Sequence, residues 1–148
     1  MKTLTFFLVS LLISSTMAGE FAERDLFFRI DSSTAFGGRV YYDCDHVENK
    51  TRSMLKTLGA QDIEVRCSGG IDPFGQRSIS WESSVKTTFK APTSGKYQAV
   101  EFSDFDSCHL ASEILDNIDE SFITRNTDRS RLCFMHDEPY TITLEVLK

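Results

Sequence analysis

The sequence predicts an α+β fold made of two similar units, each running strand, helix, strand, strand. Three observations lead there. The stretch from Val40 to Cys67, VYYDCDHVENKTRSMLKTLGAQDIEVRC, reads as strand, cysteine, helix, strand, cysteine. A similar order returns between Ala99 and Cys133. In both stretches the first cysteine stands where a helix begins and the second falls on the following strand, with Cys44 and Cys67 23 residues apart and Cys108 and Cys133 25 apart.

The chain opens MKTLTFFLVSLLISSTMAGE. Lys2 is a short basic start, Leu4 to Ile13 is an apolar run, and Thr16 and Ala18 put small residues at the −3 and −1 positions of a cleavage site after Ala18. This is the pattern of a secretory leader. The run is shorter than the roughly 20 residues a membrane-spanning helix needs, and no basic flank follows it. Residues 1–18 are therefore expected to be removed and the product to be secreted or periplasmic.

Gly19 to Gly38 is expected to form an N-terminal arm or edge strand, with Leu26 to Ile30 as its strand-forming part. The first unit is placed at 39–92. Arg39 to Tyr42 is β-rich. Asp45, with Glu48 three residues on, approximates a capping box for the first helix. Val47, Thr51, Met54, Leu55 and Leu58 recur at helical spacing and define its apolar face. Gly59 sits where a left-handed residue would end the helix. Asp62 to Cys67 alternates, putting Ile63, Val65 and Cys67 on one face. Ser68 to Gln76 is a loop marked by Gly69, Gly70, Pro73 and Gly75, and Ser78 to Ala91 reads as a strand with Val85, Thr87 and Phe89 in alternation.

The second unit is placed at 96–148, after the tight connection Pro92 to Lys96. Its apolar strand positions are Tyr97, Ala99 or Val100, and Phe102. Asp106 or Ser107 suits a helix cap. Leu110, Ala111, Ile114, Leu115 and Ile118 make the second apolar helix face. A strand is expected to start at Phe122 to Thr124, to be interrupted by the polar run Asn126 to Ser130, and to resume at Arg131 to Met135. Tyr140 to Leu147 alternates through Ile142, Leu144 and Val146 and closes the chain.

These elements imply two helices on one face of a mainly antiparallel sheet of six or seven strands. A ferredoxin-like core with extra strands is the nearest named architecture, an analogy of element order that carries no function. An even cysteine count in an exported chain implies disulfides. Four cysteines allow three pairings. The simplest is Cys44 with Cys67 and Cys108 with Cys133, each staple contributing about 3 kcal/mol in the chain-entropy model. A labile, redox-active disulfide is the functional alternative, since a helix N-terminus lowers a thiol pKa.

The chain carries 16 Lys and Arg against 22 Asp and Glu, net −6, and loss of Lys2 with the leader makes it −7. That balance disfavours a nucleic-acid partner. No stretch after the leader approaches a membrane span, and no cofactor motif is present. Asp43, Asp45, Asp104 and Asp106 gather near the two helix starts. Asp104 and Asp106 are the candidate cation ligands, although the glycine and distal glutamate of an EF-hand loop are missing. Helix capping and solubility are the favoured explanation of these carboxylates, and the cation motif is weak. His46, His109 and His136 stand in no HExxH or related pattern, and Cys108 beside His109 is not a nucleophile–base pair, because adjacent helical residues point apart. Ile71, Phe74 and Trp81, in or beside the longest mid-chain loop, make the best candidate binding surface. The plainer reading is that they cover the open end of the core. Asn49-Lys50-Thr51 is an N-glycosylation sequon on the polar helix face, of consequence in a eukaryotic host. The sequence thus points to a small, exported, disulfide-stabilised protein with a non-catalytic binding or accessory role toward a protein or small-molecule ligand. The alternatives are a small hydrolase-like enzyme using His109 or the acidic pair, and a disulfide redox or sensing module.

Overall fold

The computed structural model describes residues 20–31, 42–70, 82–104, 108–129 and 140–148. The fold is α+β. Its elements are β1 (Phe21–Asp31), α1 (Cys44–Thr57), β2 (Gln61–Gly69), β3 (Glu82–Pro92), β4 (Tyr97–Asp104), α2 (Cys108–Ile118), a short 3-10 turn at Asp119–Ser121, β5 (Thr124–Arg129) and β6 (Tyr140–Leu147).

The six strands form two antiparallel three-stranded sheets rather than the one sheet expected, in the orders β1-β3-β2 and β4-β6-β5. In each, the last strand of the half lies in the middle. Since β1 and β2 both run antiparallel to β3, they are parallel to each other, and α1 is the crossover between them. The same holds for β4, β5, β6 and α2. Each half is therefore a split β-α-β unit, the element shared with ferredoxin-like folds, but the halves do not merge into one sheet.

Alternation decides which face each strand buries. Phe28 and Ile30 of β1, Val65 of β2 and Val85, Thr87 and Phe89 of β3 turn inward, and their neighbours are exposed or partly so. In the second sheet Val100, Ile142, Leu144 and Val146 do the same. Both helices bury the faces expected: Val47, Thr51, Met54, Leu55 and Leu58 on α1 and its C-cap, and Leu110, Ala111, Ile114, Leu115 and Ile118 on α2. The apolar ones among these residues join one core, in which Phe89 of the first half stacks on Phe122 of the second with ring centroids 5.5 Å apart.

Three local differences have physical causes. The N-terminal segment is a full edge strand, paired from Phe21 to Asp31 with β3, because Leu26, Phe28 and Ile30 supply a complete inward row. It holds the place expected for Arg39 to Tyr42, of which 39–41 lie outside the described residues and Tyr42 is not in a strand. Helix α1 begins earlier than expected. Asp43, not Asp45, is its N-cap, in extended conformation with its carboxylate accepting from the His46 N–H at 2.8 Å. Finally, β5 includes the polar run placed in a loop. TRNTDR has no apolar alternation, yet it pairs with β6 and is tied to it by Arg125 and Asn126, both bonded to Glu145. The expected strand at 131–135 lies outside the described residues.

The end of α1 follows the sequence. Gly59 has φ +92°, its N–H donates to the Lys56 carbonyl, and the Ala60 N–H donates to the Leu55 carbonyl. This is the paired bonding of a Schellman cap.

Candidate functional site

The disulfide Cys44–Cys67 joins the first residue of α1 to β2, with a Cα separation of 5.3 Å, well inside the range a disulfide accepts. It is the pairing expected. Cys133 lies outside the described residues, and the second expected staple, Cys108–Cys133, lies there with it.

The disulfide is one part of a clamp. Glu48, one turn into α1, does not bend back to its own helix start. Its Oε1 accepts the backbone N–H of Cys67 at 2.7 Å, and Arg52 stands 3.9 Å from its other oxygen. Just beyond, Gly69 and Gly70 both have positive φ, and the Gly70 N–H donates to the Glu82 carbonyl at 3.3 Å. A Cβ on Gly70 would stand 2.4 Å from the carbonyl oxygen of Tyr42, so only glycine permits this approach of the two backbones. The Cys44 sulfur lies 3.4 Å from the Gly69 carbonyl, a contact without a proton, because a disulfide sulfur carries none. The chain thus leaves Gly70 and returns at Glu82 from a base held by a disulfide, a charged hydrogen bond and a backbone hydrogen bond. Residues 71–81 connect the two points. Ile71, Phe74 and Trp81, the candidate recognition residues, all lie there and outside the described residues.

A second grouping lies where the halves meet. His109 and Glu113 are one turn apart on α2, with Nδ1 3.6 Å from Oε1. Burial pushes the Glu113 carboxyl above the usual glutamate range; His109 opposes this, and the Asp31 and Asp116 carboxylates add to it. The backbone N–H of Asp31 donates to Glu113, while Glu113 Oε2 is buried without a hydrogen bond among the described residues. Tyr42 completes the group, its phenol pushed up to about 12 by burial first and by the Glu113 charge second. The arrangement is a half-buried proton-binding carboxylate beside an imidazole and a neutral phenol.

The pH consequence is specific. A carboxyl whose folded pKa is raised binds its proton more tightly folded than unfolded, so the folded state loses stability as pH rises from the ordinary glutamate value through the folded one. Glu113→Gln is therefore expected to be more stable than the parent at pH 7, with the difference shrinking as pH falls to the ordinary glutamate range. Urea titrations of both proteins at pH 4.5 and 7 check this, and a less stable variant at pH 7 refutes it.

The other sequence candidates form no further grouping among the described residues. Asp43 is occupied as a helix cap and Asp45 is exposed. Asp104 ends β4, while Asp106 and His136 lie outside the described residues. No group of three or more potential metal ligands forms among the described residues. His46 is exposed. Among the described residues no helix is long and apolar enough to cross a membrane. The His109–Glu113 spacing was readable as an i, i+4 pair. The approach of Tyr42 and Asp31 to it, and of Glu48 to Cys67, had no signal in the sequence, because both join segments distant along the chain. Comparison with protein-family models, with curated proteins and with solved structures finds no match to this chain.

Proposed function

We propose that this is an exported, disulfide-stabilised binding protein, non-catalytic, which presents Ile71, Phe74 and Trp81 to a protein or small-molecule ligand. The observation that supports it is the clamped base at Cys44–Cys67, Glu48 and Gly70–Glu82, from which residues 71–81 depart. A fixed base lowers the ordering cost of binding, and aromatic side chains carry much of the energy in recognition surfaces.

The scaffold is proposed to be a duplicated unit with a second staple, Cys108–Cys133. Both halves have the same strand order, and both second strands carry one extra residue near their start. There Asp62 (φ +50°) and Asn126 (φ +52°) adopt the left-handed conformation. Asp62 and Asn126 each stand 18 residues after the cysteine that begins the preceding helix. Each also reaches the central strand, Asp62 to Lys90 and Asn126 to Glu145.

The binding reading is tested by selecting displayed peptides on the exported protein and reading affinity through Trp81, the single tryptophan. The expected result is peptides whose affinity falls tenfold or more in the Phe74→Ala variant, read by calorimetry, and is unchanged by Phe27→Ala on the exposed outer face of β1. Selected peptides indifferent to Phe74 would overturn it.

A second reading, a small hydrolase-like enzyme, draws on the His109–Glu113 pair. It requires ester or amide turnover that disappears in His109→Ala.

A further inference from the structure

The buried hydroxyls of this fold are not treated alike. Thr87 is fully buried on β3, and its Oγ1 donates to the Glu64 carbonyl at 3.0 Å. Thr51 is equally buried, in the middle of the apolar face of α1 between Val47 and Leu55, yet its Oγ1 has no hydrogen-bond partner among the described residues. Not even the carbonyl one turn back, the usual recourse of a helical threonine, is used. A hydroxyl buried without a partner costs stability. Valine has nearly the same shape and would fill the same space without that cost. Packing therefore gives no reason for threonine at position 51.

Two residues earlier, Asn49 is exposed on the opposite, polar side of the same helix. Asn49-Lys50-Thr51 is the one Asn-X-Ser/Thr triplet in the chain; Asn117 and Asn126 are followed two residues on by Asp. The sequon requires a hydroxyl at its third position and an asparagine that remains at the surface. The structure has both, and the buried hydroxyl comes at an energetic cost.

We infer that Asn49 is an acceptor for an N-linked glycan and that Thr51 is kept for that modification. The inference rests on the export reading, since the transfer happens in a secretory compartment. The side-chain nitrogen of Asn49 attacks C1 of the first sugar of a lipid-pyrophosphate-linked oligosaccharide. The C1–N bond forms, the C1–O bond to the pyrophosphate breaks, the lipid pyrophosphate departs, and the amide proton passes to a base. The reaction acts on the chain before α1 forms, so later burial of Thr51 is no obstacle. After folding, the glycan stands on the solvent side of α1, away from the core and from the Cys67 strand that Glu48 contacts.

The test is expression of the full chain in a eukaryotic secretory cell, with intact-mass and peptide analysis of the protein in the medium before and after peptide-N-glycosidase. One glycan at Asn49 is expected, retained in Thr51→Ser and lost in Thr51→Val and Asn49→Gln. Melting is then compared in the glycan-free Asn49→Gln background, where adding Thr51→Val is expected to leave the midpoint unchanged or raise it by a few degrees. Exported parent protein bearing no glycan overturns the inference, and so does a lowered midpoint, which would give the hydroxyl a structural task. Protein retained in the cell with its leader counts against export instead. The same measurement with residues 1–18 exchanged for an established leader then decides the glycan question separately.

Discussion

Phe89→Ala is expected to be among the most damaging single substitutions in this protein, lowering stability by about 3–5 kcal/mol. Phe89 sits at 1% exposure on the central strand of the first sheet and stacks face to face on Phe122, which precedes β5 of the second half. Truncation leaves a cavity lined by two halves that must both collapse to fill it. It also removes an aromatic pair worth about 0.5–1.5 kcal/mol beyond its buried area. The expected signature in urea is a single transition shifted to lower concentration. Phe27→Ala, at 65% exposure on the outer face of the same sheet, should change little. Two separate transitions, or a loss under about 1 kcal/mol, would show that the halves do not share their core.

The second large effect belongs to the disulfide. Cys44→Ala/Cys67→Ala frees a closed loop spanning 23 residues, for which the chain-entropy model gives about 3 kcal/mol. For a domain of this size that corresponds to a melting midpoint lower by roughly 10 °C. The double variant is the right one, because a single substitution leaves a stray thiol. Thermal unfolding monitored by circular dichroism measures the shift. A midpoint within 2 or 3 °C of the parent would mean that the Glu48 bond to Cys67 and the core alone hold α1 against β2.

Most of the secondary structure was legible because burial imposes periodicity. The helix faces Val47 to Leu58 and Leu110 to Ile118, and the strand rows through Val85, Phe89, Ile142 and Val146, follow directly from which side must leave water. What was not legible depended on partners remote in sequence. β5 is polar throughout and becomes a strand only because β6 lies beside it and Glu145 binds Arg125 and Asn126. Asp43 and Asp45 are equivalent as caps on paper, and the helix begins with Cys44 at its first position. The separation into two sheets is a matter of edges: alternation specifies the face of a strand but not its neighbour. The candidate site shows the same division. The Cys44–Cys67 pairing was readable from spacing; the glutamate and the glycine that complete the clamp were not.

The proposed protein is an exported scaffold stapled within each half. Non-reducing peptide mapping by mass spectrometry on the secreted protein, with titration of free thiols, tests it most directly. The expected result is an N-terminus at Gly19, Cys44 linked to Cys67, Cys108 linked to Cys133 and no free thiol. Crossed pairing, free thiols or a retained leader would contradict it.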